Sequence, residues 1–313
     1  MPLYFDDAEN LASFELSSLE SVLRVCETEL VLLDGNSPRS AVKTLIHDGA
    51  LMGRIALGMR VRGRFVLPSD WALLAYVEAA DEQGSWCHGM PLGSGAVITV
   101  LPQGVAEFAL AAGGIVAFCL VPVSRLPNPA MSSPLARASG AIQTGVRRYE
   151  PAQRLYRQLQ AGLIEQVLPD DWVEHIVQLH VQASVGAPYS ELGMALRTRR
   201  SRYLVFRKAE DFMRENLRRQ IYMQELCDAA GVSERLLRYA FEDLTGVSPS
   251  RYLSLFRLCE ACRALSQADA LSQSVKSVAL NCGLWDLSRF ADSYRRVFGE
   301  LPRETLQRGV AVF

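Results

Sequence analysis

The stretch Ala-Gly-Val-Ser-Glu-Arg-Leu-Leu-Arg-Tyr-Ala-Phe, residues 230–241, decides how the C-terminal third of this chain folds. Gly231 stands where one helix ends and the backbone needs a positive φ, and Ser233 is a good N-cap for the next helix. An apolar stripe then follows at three- and four-residue spacing, formed by Leu236, Leu237, Ala240, Phe241 and Leu244. The order helix, tight turn, capped helix is typical of a helix-turn-helix.

The same pattern returns further along the chain. Each of Leu237, Phe241, Gly246 and Pro249 is matched 53 residues later, by Phe290, Tyr294, Gly299 and Pro302. Gly283 and Asp286 supply the turn and the cap of this second copy, and between the copies Ser248 and Pro249 begin a long apolar helix. The repeat predicts two helix-turn-helix units. In this motif the second helix of each unit, here called the reading helix, enters the major groove of DNA.

Several further runs occur together with residues 230–241: Thr-Gly-Val-Ser-Pro-Ser-Arg-Tyr-Leu at 245–253, Gly-Leu-Trp-Asp-Leu-Ser-Arg-Phe at 283–290 and Val-Phe-Gly-Glu-Leu-Pro at 297–302. This combination resembles the DNA-binding domain of the AraC/XylS family of bacterial transcription regulators, over residues 203–308. The resemblance implies sequence-specific binding of double-stranded DNA, with the two units in adjacent major grooves, and contact with RNA polymerase. By position, it implies DNA contacts from Ser233, Arg235, Arg238, Tyr239, Leu287, Ser288, Arg289, Ala291, Asp292, Arg295 and Arg296.

Two of these positions depart from the family pattern. Tyr239 and Asp292 stand where many relatives carry a basic residue. The phosphates of a duplex repel a carboxylate, although a carboxylate can accept a hydrogen bond from a cytosine amino group. We therefore expect the second unit to contribute less base-specific affinity. Its arginines either hold it to the phosphate backbone or form a solvated helix face.

The composition divides the chain into two parts. At 313 residues and 49% hydrophobic, the chain is long enough for two domains, at 1–196 and 197–313. Residues 197–313 hold 20 Lys and Arg against 14 Asp and Glu, whereas residues 1–196 hold 13 against 20. This difference in net charge is consistent with one domain that binds nucleic acid and a second domain with a different function. The basic run 197–202 is interpreted as a linker, either solvated or touching phosphates.

Several classes of protein are disfavoured by what the sequence lacks. The first ten residues have no basic signal-peptide region, and no apolar run reaches the ~20 residues of a membrane span, so we expect a cytoplasmic protein without membrane contact. The four histidines form no His-x-His pair, so we expect neither a metal, nor a cofactor, nor an enzyme. A cupin enzyme with a DNA-binding appendage stays as an alternative. Cys259 and Cys262 form a C-x-x-C that we assign to core packing.

The N-terminal part has the pattern of short strands followed by helices. Apolar runs separated by turn residues predict strands at 29–33, 51–57, 64–67, 73–77, 96–100, 106–110 and 115–121. Residues 108–118, around Gly113-Gly114, predict a hairpin. A connector at 122–134 precedes two predicted helices, 151–166 and 171–184. The expected fold class is thus α+β: a cupin-like β-barrel with a helical hairpin, then an all-α domain with two helix-turn-helix units.

The N-terminal part also carries the candidates for control and assembly. The resemblance implies a barrel that holds a small-molecule effector and helices that form a homodimer; the alternative is control by a protein partner. Trp86 and His88, in a loop of unusual composition, are the candidate effector-binding residues. The alternative is a plain loop with a buried Trp. Trp172, Ile176 and Leu179, together with Val173, are candidates for a dimer seam. The alternative is that they pack on their own barrel.

Overall fold

A computed structural model of the chain describes residues 12–14, 26–34, 40–126, 144–149, 151–185, 194–269 and 273–309. The strands are β1 (Ala12–Phe14), β2 (Glu27–Leu32), β3 (Ser40–His47), β4 (Ala50–Ala56), β5 (Val61–Val66), β6 (Trp71–Ala79), β7 (Trp86–Cys87), β8 (Met90–Pro91), β9 (Ala96–Val100), β10 (Val105–Leu110), β11 (Ile115–Pro122) and β12 (Thr144–Arg148). The helices are α1 (Ala152–Glu165), α2 (Trp172–Val185), α3 (Met194–Glu215), α4 (Met223–Ala230), α5 (Glu234–Thr245), α6 (Pro249–Gln267), α7 (Val275–Asn281), α8 (Leu287–Phe298) and α9 (Pro302–Gly309).

The strands form two antiparallel sheets, one of seven strands in the order β1-β3-β4-β11-β6-β9-β12 and one of five in the order β2-β5-β10-β7-β8. Every strand predicted from the sequence is present, and an α+β architecture with a helical C-terminal part is confirmed. A closed cupin-like barrel is not confirmed; the described strands divide between two separate sheets. Strands β1, β3, β7, β8 and β12 were not predicted.

The predicted hairpin at 108–118 is wrong. Strand β10 pairs with β5 and β7, whereas β11 pairs with β4 and β6, so the two strands lie in different sheets. Gly113, with φ +84°, turns the chain from one sheet into the other. Two apolar strands around a glycine turn have the same sequence pattern in both arrangements, because the pattern fixes the turn and not the pairing partners.

Helices α1 and α2 cover the outer face of the seven-stranded sheet and enclose a core of their own. Trp172, Ile176 and Leu179 lie in this core, and Ile176 has no exposed surface. The assignment of these residues to a dimer seam is therefore corrected, since a side chain already buried within one chain has no surface left for a second. Their apolar stripe is covered by their own sheet, which was the alternative.

The five-stranded sheet separates an apolar cavity from the helical part of the chain. Side chains alternate along each strand. In β5, Val61 and Phe65 line a cavity of about 80 Å³ between the two sheets, and Arg62 between them points to the opposite side. In β10, Ala106 and Phe108 line the cavity, as do further apolar side chains and Cys26 and Cys87.

The opposite face of this sheet is joined to α3 and α6 by buried charges. The Nη2 atom of Arg62 lies 2.6 Å from Oε2 of Glu210 in α3 and 3.7 Å from Oε2 of Glu107 in β10. The hydroxyl of Tyr252 donates to Glu210, and that of Tyr203 donates to Glu107. Burial disfavours the charge on Arg62, but Glu210 and its neighbours outweigh this effect, so the pKa of Arg62 is raised. We call Arg62, Glu107, Tyr203, Glu210 and Tyr252 the buried charge network.

Helix α3 runs through the expected domain boundary at 196/197. The run at 197–202, interpreted as a linker, is helical instead. Arg199 donates to the carbonyl oxygens of Glu82 and Gln83, and Arg202 pairs with Asp243 at 3.1 Å. These arginines therefore connect the helical part to the sheets and to the first unit. A basic run has the same composition in a solvated linker and in a helix, for which arginine has a high propensity. The sequence does not distinguish the two, because the partners of these arginines are distant in sequence.

Candidate nucleic-acid interface

The first unit consists of α4, a tight turn and the reading helix α5. Gly231 ends α4 with φ +70°, as the sequence predicts. Ser233 occupies the N-cap position of α5 with extended backbone, although its side chain makes no capping hydrogen bond. Four members of the predicted stripe are buried: Leu237, Ala240, Phe241 and Leu244. Leu236 is 41% exposed, which corrects its assignment to the stripe, because the packed face of α5 is narrower than the sequence pattern.

The outward face of α5 presents the residues that the family resemblance assigns to DNA. Ser233, Arg235, Arg238 and Tyr239 border one shallow surface groove. Nε of Arg238 donates to Glu234 one turn earlier at 2.8 Å. The guanidinium of Arg202 lies over the Tyr239 ring at 4.2 Å, a cation–π contact that fixes the ring at the edge of the face. Arg235 has no ion-pair partner within the described residues, so its charge is available to a ligand.

The second unit consists of α7, its turn and the reading helix α8. Gly283 has φ +73°, and the Asp286 side chain accepts a hydrogen bond from the Arg289 amide at 3.1 Å, as an N-cap should. Phe290, Tyr294 and Val297 form the buried stripe. The predicted contact residues occupy the other side of α8: Ser288, Arg289, Asp292, Arg295 and Arg296 are exposed, and Leu287 and Ala291 are half-buried.

One helix carries both units. The Ser248 side chain accepts from the Arg251 amide, and Pro249 is the first residue of α6, so the predicted start of the joining helix is confirmed. Gly246 and Gly299 both end their reading helices with a positive φ. Cys259 and Cys262 are buried free thiols, which confirms their assignment to core packing. The second unit thus has the same local geometry as the first.

The structure does not bring Trp86 and His88 to the cavity. Trp86 is fully buried on the helical side of β7, where its Nε1 donates to the Leu244 carbonyl oxygen of α5 at 2.8 Å. The two ring nitrogens of His88 lie 3.0 Å from the Tyr203 hydroxyl and 2.9 Å from the Val105 oxygen. Burial lowers the pKa of His88. Trp86 therefore contacts the first unit directly, and the neighbouring Cys87, not Trp86 or His88, lines the cavity.

Comparison with known proteins agrees with this geometry. A family model described as a helix-turn-helix domain matches residues 226–308. The XylDLEGF operon transcriptional activator 1 of Pseudomonas putida is 40% identical over 104 residues, which are 33% of this chain and 31% of that protein. The C-terminal region belongs to the AraC/XylS family. The resemblance drawn from the repeated motif is therefore confirmed.

Two further proteins are similar to the C-terminal region of this chain. The XylDLEGF operon transcriptional activator 2 of Pseudomonas putida is 40% identical over 102 residues, which are 32% of this chain and 64% of that protein. The crystal structure of a probable AraC family transcriptional regulator from Rhodopseudomonas palustris CGA009 is 37% identical, covers 34% of this chain and 96% of that one, and has a TM-score of 0.31. These proteins are named as regulators and not as enzymes, as the sequence predicts for this chain.

The length of the matches limits the comparison to one part of the chain. The chain spans about a third of the length of the first activator, so the likeness concerns the DNA-binding domain and leaves the N-terminal part to be argued from its own structure. Within the described part of the chain, no helix has both the length and the apolar character needed to cross a bilayer.

Proposed function

We propose that this chain is a sequence-specific transcription regulator that binds adjacent major grooves of one DNA site with α5 and α8. The observation that carries the proposal is the duplicated unit: in each, a positive-φ glycine turn leads into a reading helix whose apolar stripe is buried and whose polar face is exposed. Exposed arginines at Arg235, Arg238 and Arg289 supply donors for phosphates and base edges.

We propose the cavity between the two sheets as the effector site. Its lining is apolar apart from two thiols, and burial raises the pKa of Cys26 and of Cys87 to about 12, so both are neutral at physiological pH. A small apolar molecule suits such a lining, because a buried polar group without a partner costs free energy. Control by a protein partner through this region stays an alternative.

Assembly and location complete the proposal. A homodimer requires a surface other than the buried face of α2. Three strongly exposed apolar side chains, Ile46, Ile164 and Val167, lie on or beside β3 and α1 and are the candidates. Contact with RNA polymerase remains a prediction from the family resemblance. We place the regulator in the cytoplasm, because its proposed ligand is chromosomal DNA.

The decisive test of the proposed function uses the full chain and a duplex selected from a random library. Arg238→Ala is expected to weaken binding by about 1–3 kcal/mol and to relax preference at one base position, because it removes a possible bidentate contact to guanine. Arg303→Ala, an exposed arginine on α9, is the matched control and should leave the preference unchanged. A full chain that selects no duplex, or an Arg238→Ala variant with unaltered preference and affinity, would contradict the proposal.

The exposed acid of α8 gives a second test. Asp292 stands on the outward face, where the phosphate field opposes a carboxylate, so Asp292→Arg is expected to strengthen binding to specific and scrambled duplexes alike. Titration of both duplexes at matched salt measures the effect. If Asp292→Arg weakens only the specific complex, Asp292 reads a base, and the second unit is not the weaker reader.

A further inference from the structure

The two turns that lead into the reading helices differ by one residue. From the glycine to the N-cap, the first unit runs Gly231, Val232, Ser233, whereas the second runs Gly283, Leu284, Trp285, Asp286. Val232 and Leu284 both pack against the hydrophobic core of the helical part. Trp285 is therefore the additional residue of the second turn, and the core position of the turn is already occupied by its neighbour.

The additional residue is a large aromatic side chain in solvent. Trp285 is 60% exposed, whereas Trp86 and Trp172 are buried and Trp71 is half-buried. It does not belong to the apolar side chains that pack against the core of this domain, and no aromatic or cation–π contact of its ring occurs within the described residues. Neither packing nor a polar contact of the indole explains why tryptophan stands in this turn.

The position of Trp285 places it beside the DNA in the proposed complex. In a helix-turn-helix the first residues of the reading helix meet the base edges, and Trp285 immediately precedes the N-cap of α8. One oxygen of the Asp286 carboxylate accepts from the Arg289 amide as the N-cap of α8. Ser288 and Arg289, in the first turn of α8, are exposed alongside.

We propose that Trp285 is a specificity-determining residue of the second unit, whose indole makes an apolar contact with the C5-methyl group of a thymine at the edge of the site. This inference rests on the proposed function, since it requires that α8 enters a major groove. Methyl groups are the apolar feature by which thymine is distinguished in that groove. The second unit, whose reading helix carries the acid Asp292, would thus gain selectivity from an uncharged contact.

An apolar contact has a signature that a charged contact lacks. Neutralising a phosphate releases counterions, so the loss of an arginine contact reduces the slope of log K against log salt by about one. The indole releases no counterion. Loss of Trp285 should therefore lower affinity while leaving the salt slope of binding unchanged.

The experiment titrates the full-length protein and its variants against the selected duplex at several salt concentrations. Trp285→Ala is expected to weaken binding about tenfold, in line with the apolar area of an indole, with the salt slope unchanged. Arg289→Ala should reduce the slope. Replacing thymines one at a time by deoxyuridine removes single methyl groups, and one such position should weaken the wild-type complex but not the Trp285→Ala complex.

Two further proteins control for folding and for general surface effects. Trp285→Phe keeps a ring at this position and should retain part of the affinity. Val123→Ala removes an exposed apolar side chain next to β11 and should bind as the wild type does. Undiminished binding by Trp285→Ala, or thymine dependence that survives in that variant, would overturn the inference and leave the proposed function intact. Absence of duplex binding by the wild type itself would instead overturn the proposed function.

Discussion

Replacing Arg62 with alanine is expected to lower the free energy of unfolding by about 3–5 kcal/mol, because the buried carboxylates of Glu107 and Glu210 lose the cation between them. Arg214 lies 3.5 Å from Glu210, farther than Arg62 at 2.6 Å, and Arg64 lies 3.7 Å from Glu107 at the partly exposed edge of the network. Neither carboxylate can regain solvent without separating α3 from the five-stranded sheet. Urea unfolding of the full chain measures the loss.

The matched control is an ion pair at the surface. Arg125 pairs with Asp48 where both side chains are substantially exposed, so Arg125→Ala should change the free energy of unfolding by about 0–1 kcal/mol. An Arg62→Ala variant no less stable than Arg125→Ala would show that the sheet and α3 separate readily, and that water already reaches the buried charge network.

Ile176→Asp is expected to lower the free energy of unfolding by about 4 kcal/mol or more, because it places an unpaired carboxylate in the core between α2 and the seven-stranded sheet. Ile176 has no exposed surface and is part of the second hydrophobic core, together with Trp172 and Tyr156. Thermal unfolding monitored by circular dichroism measures the change. Gln178, two residues further along α2, is exposed, and Gln178→Asp should be close to neutral.

This prediction also distinguishes the structure from the dimer seam that the sequence suggested. A seam residue would give a folded monomer on substitution by aspartate, whereas a core residue gives loss of folded N-terminal structure. Sedimentation of Ile176→Asp at several protein concentrations separates the two results. A stable, folded monomer would restore α2 as the interface between two chains.

The C-terminal part was predictable because its signals are local. Gly231, Ser248 and Asp286 each act within four residues of their own position, as a turn, a cap or both, and the structure places them where the sequence does. The repeat at 53-residue spacing then fixed the number of units. Leu236 was misassigned because periodicity identifies a face but not how wide the packed part of that face is.

The N-terminal part was predictable in its strands and not in its pairings. Gly113 indicates a turn, but it does not indicate whether the strand after the turn pairs with the strand before it or joins another sheet. Trp172 and Ile176 form an apolar stripe, and the pattern does not indicate whether the same chain or a second chain covers it. The contacts of Trp86 with Leu244 and of Arg62 with Glu210 join residues 158 and 148 positions apart, which no local pattern reports.

The sequence nevertheless contained a signal for the buried charge network. Glu107 is the single charged residue of β10, and Arg62 and Arg64 are the charged residues of β5; the other residues of the two strands are apolar or glycine. Charges at such positions indicate a second packed surface, because a buried charge requires a partner. The charged residues of β5 and β10 thus indicate contact between this sheet and another part of the chain.

The alternation along β5 ties the register of this strand to both halves of the protein. Shifting a strand by a single residue exchanges its two faces. In β5 such a slip would turn Arg62 into the apolar cavity and turn Val61 or Gly63 toward Glu210. An insertion or deletion within β5 would therefore disrupt both faces of the strand, whereas a substitution at an alternate position changes only one face. A lineage of such proteins could diversify what the cavity accepts, residue by residue, without rebuilding the attachment of the DNA-binding half.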